Sequence, residues 1–270
     1  MNWTDTLLQQ TAQEKLHGMR LVVVSNREPY MHIYREREIM CEQPASGMVS
    51  GLDPILRACG GLWVAHGSGT ADRDMVDAHD CLRVPPHDPR YVLKRVWLTK
   101  EEEAGYYYGF ANEGLWPLCH VVFTRPRFEL LDWTAYVRVN QKFAHAVLRE
   151  IQDDPAVVWI QDYHFALLPQ LLKEARPDLV VAQFWHIPWP NPEAFRICPW
   201  KQEVLWGLLA NDLLGFHLRY HCDNFLATVE RELEVRVDRE RLSVFITTGS
   251  KPWCVHSRSS RISPGFHSKQ

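Results

Sequence analysis

No C-x-x-C pair occurs among the seven cysteines, an odd and scattered set, so neither a disulfide framework nor a zinc site is written into this chain. Reduced thiols and a cytoplasmic location are therefore expected. The first continuous apolar run, Leu21 to Val24, is far too short to span a bilayer. Met1–Arg20 carries Asp5, Glu14 and several Gln and has no apolar h-region, so no signal peptide is expected. Charge of one sign is also lacking: 30 Lys and Arg stand against 33 Asp and Glu, which gives no general attraction to nucleic acid or membrane. There is no G-x-G-x-x-G followed by an acidic residue, no P-loop, no G-x-S-x-G elbow and no H-E-x-x-H, so dehydrogenase, phosphotransferase, hydrolase and zinc-protease readings find no support. No repeat of fixed period is visible.

What is present is the composition of an ordinary globular chain, 46% hydrophobic and 23% charged over 270 residues, long enough to bury a substantial core. Short apolar runs alternate with segments of helical period, the pattern of a parallel sheet covered by helices on both faces. Leu21–Ser25, Ala156–Asp162, Leu179–His186 and Leu213–His217 read as buried parallel strands. From Trp133 to Ile151, the residues Tyr136, Val137, Phe143, Ala144, Val147, Leu148 and Ile151 share one helical face, and 165–176 and 219–234 read as helices too. Thr70–Tyr91, rich in Asp, His and Pro, is expected to be irregular. The fold class is α/β, a Rossmann-like domain.

In open α/β sheets ligands bind beyond the carboxyl ends of the strands. Four motifs stand there or in adjoining loops. Ser25-Asn26-Arg27 is followed by Ser46-Gly47-Met48-Val49-Ser50-Gly51, where glycine permits close approach of an anion and a following helix would offer free N–H groups; equally, Gly47 and Gly51 would serve a turn and tight helix packing. Tyr107 to Pro117 is crowded with aromatics beside Asn112 and Gly109, which suits a carbohydrate surface or a sealed core. Trp159-Ile160-Gln161-Asp162-Tyr163-His164 ends a strand on a carboxylate able to grip a sugar diol, or to cap the next helix, or both. His186-Ile187-Pro188-Trp189-Pro190 fixes a histidine at a strand end in a proline-stiffened loop.

In order along the chain, Leu21–Arg27, Gly60–Trp63, Tyr107 with Phe110, Asn112 and Leu115–Pro117, Trp159–His164, His186–Pro188 and Asp212–Phe216 resemble the trehalose-6-phosphate synthases, glycosyltransferase family 20. The resemblance covers roughly residues 20–242. It implies the N-terminal domain of a two-domain type B glycosyltransferase that transfers glucose, with retention and without cofactor or metal, from a nucleotide sugar such as UDP-glucose to glucose 6-phosphate, forming trehalose 6-phosphate. By the same resemblance Arg27, Tyr107 and Trp116 hold the acceptor phosphate, Asp162 holds acceptor hydroxyls, His186 lies near the transferred glucose, and Gly47 offers its backbone to donor phosphates. Partners are thus a nucleotide-sugar donor and a sugar-phosphate acceptor, with room for a homo-oligomer of a full-length form. Gln161, where many members have His, Trp189, where many have Phe, and Ser46-Gly47-Met48 in place of Gly-Gly-Leu depart from the pattern and bear on acceptor and donor identity. Glucosyl transfer to glycerol 3-phosphate, a non-catalytic sugar-phosphate-binding module and an unrelated nucleotide-binding enzyme are the competing readings.

The expected organisation is an N-terminal extension over 1–19, a Rossmann-like acceptor-binding domain over 20–245 and an aberrant tail over 246–270. From Thr247 onward there is no Asp or Glu and no apolar period. The tail reads like a shifted frame, is expected to be irregular, and leaves the donor-binding domain of the family unrepresented.

Overall fold

The computed structural model describes residues 5–246 and 260–264. In chain order, α1 (Asp5–Leu16) leads into β1 (Arg20–Ser25), the hairpin β2 (Met31–Arg35) and β3 (Glu38–Glu42), α2 (Gly47–Cys59), β4 (Leu62–His66), a 3₁₀ turn at Asp72–Met75, β5 (Cys81–Val84) and β6 (Tyr91–Val96). There follow α3 (Lys100–Glu103), a π-helix (Ala104–Leu115), α4 (Trp116–His120), α5 (Leu130–Ile151), β7 (Ala156–Gln161) and a 3₁₀ turn at Tyr163–Phe165. The last stretch comprises α6 (Leu168–Ala175), β8 (Val180–Trp185), α7 (Pro192–Phe195), α8 (Lys201–Leu209), β9 (Leu213–Phe216), α9 (Arg219–Glu232), β10 (Val235–Asp238), β11 (Ser243–Ile246) and β12 (Ser260–Pro264). By its internal contacts the chain divides into two compact units, Met1–Leu98 with His145–Trp159 and Thr99–Ala144 with Ile160–Gln270.

In the first unit the strands run in the order β1-β4-β6-β5. β1 pairs parallel with β4 and β4 with β6, while β5 turns antiparallel against β6. Successive side chains of a strand point to opposite faces, so the five consecutive buried residues of β4, Leu62 to His66, mean that this strand is covered on both sides. Val49, Leu52 and Leu56 of α2 join Val23, Trp63 and Leu93 in that core, each fully buried aliphatic side chain contributing about 1.5–3 kcal/mol. Thr70–Tyr91 is less irregular than expected, because it contains the 3₁₀ turn and β5 and reaches the start of β6.

In the second unit the order is β8-β9-β12-β11-β10, with β8, β9 and β12 parallel and β10 and β11 antiparallel. The fold is Rossmann-like α/β with antiparallel strands added to the parallel ones. The tail is not wholly irregular either: Ser260–Pro264 is a strand, and the remainder of 247–270 lies outside the described residues. α5 buries Tyr136, Phe143 and Ala144 as the helical period predicts, and adds Val139 and the polar Asn140 to the same face. Asn140 Nδ2 donates to the carbonyls of Tyr136 and His164, so this buried amide is matched on its donor side.

Candidate active site

In the first unit the chain leaves β1 at Ser25, whose hydroxyl donates to the Arg27 carbonyl (2.7 Å) while accepting from Trp63 Nε1 (2.7 Å). The Gly60–Trp63 block thus fixes the backbone that carries Arg27. The Arg27 side chain is exposed and its Nη1 donates to the Ala45 carbonyl (3.4 Å), two residues before α2 starts at Gly47. Ser46 caps α2 by accepting from Val49 N, and the N–H groups of Gly47 and Met48 are left without an intrahelical partner by helix geometry. A Cβ built at Gly47 or at Gly51 would meet nothing within 4 Å. Tight packing therefore does not account for either glycine, and open approach to the start of α2 remains.

A buried network supports this loop from beneath. Arg95, fully buried on β6, donates to Glu28 Oε2 (2.9 Å), to the carbonyls of Asp72 (2.8 Å) and Tyr30 (3.0 Å), and pairs with Asp72 Oδ1 (2.7 Å). Glu28 also accepts from Ser68 N, and Asp72 accepts from the backbone of His32 and Gly69. Burial, and a hydrogen bond shared with Asp72, push the Glu28 carboxyl up to about 8. Against the raising effect of its own burial, hydrogen bonds from His32 and Glu28 hold Asp72 below the usual range. Asp72 is thus the more acidic of the two carboxyls facing Arg95, and Glu28 the one that holds its proton more tightly. Sequence reasoning passed over it; the one signal was Lys94-Arg95 inside an otherwise apolar strand.

In the second unit the polypeptide leaves β7 at Asp162 and β8 at His186. The Asp162 N–H donates to the Phe184 carbonyl (2.7 Å) and its own carbonyl accepts from Gln183 Nε2 (3.0 Å). Asp162 Oδ1 accepts from the N–H groups of Tyr163 (2.9 Å) and His186 (3.3 Å), so the carboxylate both caps the following turn and joins the two strand ends. Its backbone stands at φ 72°, ψ 177°, a region nearly reserved for glycine and costing on the order of 1–3 kcal/mol elsewhere. Burial drives its pKa up to about 7, and the two N–H contacts only partly offset that. His186 is pushed down to about 4 by burial and then by repulsion from His217, so its imidazole is neutral at pH 7. His186 Nε2 lies 3.0 Å from Gln161 Oε1.

The aromatic motif divides its labour along the π-helix. Tyr106 and Phe110 are fully buried and seal the core, whereas Tyr107 is half-buried and stacks on His164 (centroids 5.3 Å apart, 10° between planes). Tyr108 and Trp116 are exposed, the latter stacked on His120 (4.0 Å). Tyr163 donates its hydroxyl to Asn112 Oδ1 (2.8 Å), which ties this helix to the turn after Asp162. Tyr107, Asp162 and His186 therefore sit on mutually bonded elements. Arg27 and Gly47 stand together in the first unit. Trp189, one of the departures from the family pattern, is fully buried against Phe195 and Phe225 with Nε1 on Thr228, so that change belongs to the core.

Among the described residues there is no group of three or more His, Cys, Asp or Glu placed to hold a metal, and no helix is long and apolar enough to cross a membrane. The six cysteines described are free. The model of glycosyltransferase family 20 matches residues 19–254. The chain belongs to glycosyltransferase family 20. Trehalose-6-phosphate synthase of Mycolicibacterium vanbaalenii is 36% identical over 228 residues, 84% of this chain and 46% of that protein. An E. coli structure described as trehalose-6-phosphate bound with UDP-2-fluoro glucose is 27% identical with a TM-score of 0.70, over 91% of this chain and 48% of that one. A Burkholderia xenovorans α,α-trehalose-phosphate synthase (UDP-forming) in complex with glucose-6-phosphate is 24% identical with a TM-score of 0.70, over 91% and 49%, and speaks for the fold. The chain spans about half the length of the curated relatives it matches. As a family 20 chain it carries Gln161 beside its strand-end aspartate, a position that sequence reading marked as a departure and that the structure connects to His186.

Proposed function

We propose that this chain supplies the acceptor-binding half of a retaining glucosyltransferase that moves glucose from a nucleotide sugar such as UDP-glucose to glucose 6-phosphate, giving trehalose 6-phosphate. The observation that carries the reading is Asp162: a carboxyl held at a strand end in a strained backbone, with a pKa near 7 and one oxygen committed to backbone N–H groups, is suited to exchange hydrogen bonds with sugar hydroxyls. Arg27 and Tyr107 supply guanidinium and phenol donors for the acceptor phosphate, and the Trp116 indole adds a third. His186, neutral, addresses the transferred glucose, and the free N–H groups at Gly47 address the donor phosphates. In the transfer the acceptor hydroxyl oxygen bonds to the anomeric carbon, the bond to the nucleoside diphosphate breaks, and the hydroxyl proton leaves with that group. Alignment of hydroxyl and anomeric carbon, with donors facing the departing diphosphate, lowers the barrier. The chain is proposed to act in the cytoplasm.

Ligand-observed NMR titration tests the reading. Glucose 6-phosphate is expected to bind this chain at about millimolar Kd, about 4 kcal/mol, and more weakly as salt rises. Arg27→Ala should weaken glucose 6-phosphate more than free glucose, because the guanidinium addresses phosphate. Asp162→Asn should weaken both. Binding that is insensitive to both substitutions would refute the assigned roles.

A further inference from the structure

Gln161 ends β7 with its side chain buried, 2% exposed, and it has no part in the roles assigned above. Its Oε1 lies 3.0 Å from His186 Nε2, while its own Nε2 is buried with no hydrogen-bond partner. A buried N–H left unmatched costs about 1–3 kcal/mol. Leucine, of similar volume, would avoid that cost but would leave His186 Nε2 without an acceptor. What Gln161 contributes in return for its unmatched N–H is therefore its carbonyl.

A neutral imidazole carries one N–H, and the partner at one nitrogen decides which nitrogen bears it. His186 is neutral, since burial depresses its proton affinity. An acceptor at Nε2 places the proton there and leaves the lone pair on Nδ1. Among the described residues no hydrogen bond reaches Nδ1, and the rings packed against His186, Phe184 and His217, stand at centroid distances of 4.7 and 5.6 Å. The Asp162 carboxylate is bonded to the His186 backbone N–H and not to the ring. Gln161 is thus the group that selects the tautomer.

We propose that Gln161 is a positioning residue that holds His186 as the Nε2–H tautomer, so that Nδ1 accepts a hydrogen bond from a hydroxyl of the sugar being transferred. The sugar contact rests on the proposed function; the tautomer does not. The amide orientation and the tautomer are fixed together, because an amide turned over would offer N–H to Nε2 and drive the proton to Nδ1.

The test is nitrogen NMR of this chain labelled with ¹⁵N-histidine, His186 being assigned by its loss in His186→Gln. At neutral pH the wild-type ring is expected to show a protonated Nε2 and a lone-pair Nδ1. In Gln161→Leu both signals should move toward the averaged values of a ring exchanging between tautomers, and Gln161→Glu, which keeps an acceptor, should keep the proton on Nε2. Gln161→Met serves if the leucine variant fails to fold. A wild-type ring protonated on Nδ1, or a leucine or methionine variant with the wild-type tautomer, overturns the proposal. UDP-glucose, added until its sugar protons show saturation transfer from this chain, should shift Nδ1 more than Nε2; saturation transfer with no shift at either nitrogen overturns the sugar contact while the tautomer assignment stands.

Discussion

At the residue scale, Asp162 and His186 are neighbours whose titrations oppose each other. Asp162 is raised from 3.8 to about 7, so the folded state binds its proton more tightly than the unfolded chain does; the stability this contributes is complete below pH 4 and is lost as pH rises through 7. His186 is lowered from 6.5 to about 4, so its contribution is complete above pH 6.5 and is lost as pH falls through 4. Between pH 4 and 6.5 the two slopes have opposite signs and largely cancel. Each spans a few kcal/mol, at about 1.4 kcal/mol for a tenfold change in proton affinity. Urea denaturation across pH 4 to 8 is expected to show Asp162→Asn gaining stability relative to the wild type as pH rises, and His186→Gln gaining relative to the wild type as pH falls. Parallel curves for wild type and both variants would show that neither group titrates as described. The positions of both residues were legible in the sequence, since each ends a mostly apolar run of strand length. The environment that sets their proton affinities was not, because it depends on which strand ends meet.

At the element scale, glycines separate what the fold needs from what it leaves open. On the π-helix a Cβ at Gly109 would collide with the Asp132 carboxylate of α5, and one at Gly105 with Ala135, so this helix lies against α5 at a distance only glycine allows. Gly109→Ala is expected to cost about 1–3 kcal/mol by overpacking, read from the denaturation midpoint. Gly51→Ala, inside α2 with open space around it, should instead stabilise by about 0.5–1 kcal/mol. Gly47→Ala should leave stability intact and weaken UDP-glucose, because a methyl there obstructs the approach to the free N–H groups of α2; equal effects of both α2 changes on the ligand would remove Gly47 from the site. The four strands read from sequence, β1, β7, β8 and β9, were visible because each is a mostly apolar run of strand length. β5 and β6 escaped notice because Asp, His and Pro surround β5 and because Lys94 and Arg95 interrupt β6, their charges matched by partners distant in sequence. β2 and β3 make a separate hairpin whose exposed Tyr34, Ile39 and Met40 break the alternation that marks a half-buried strand. The π-helix has no periodic signature of its own.

At the scale of the whole molecule, the core was legible as composition and period, while the buried Glu28–Arg95–Asp72 network was not, since it joins residues 28, 72 and 95 through the folded first unit alone. Its stability consequences are unequal in a way that the proton positions dictate. Removing one member of a buried ion pair leaves an uncompensated charge and costs about 3–5 kcal/mol. Arg95→Met, which strands Asp72, should therefore lower global stability by that order at pH 7, and Asp72→Asn by less, because Glu28 stands 2.9 Å from Arg95 and ionises more readily once Asp72 is neutralised. Glu28→Gln should behave differently. With its carboxyl pushed up to about 8 by burial and by the hydrogen bond to Asp72, Glu28 is expected to be neutral in the folded state at pH 7, and glutamine reproduces both its shape and its ability to donate toward Asp72. The raised affinity means that the stability contributed by the Glu28 proton is present below pH 4.5 and disappears as pH climbs through 8. Glu28→Gln carries no such loss, so its stability relative to the wild type should rise steadily from pH 5 to pH 9. Denaturant unfolding of the three variants at those two pH values decides the matter. A Glu28→Gln protein as damaged as Arg95→Met at pH 7 would mean that Glu28 is ionised and that the proton in this network sits elsewhere.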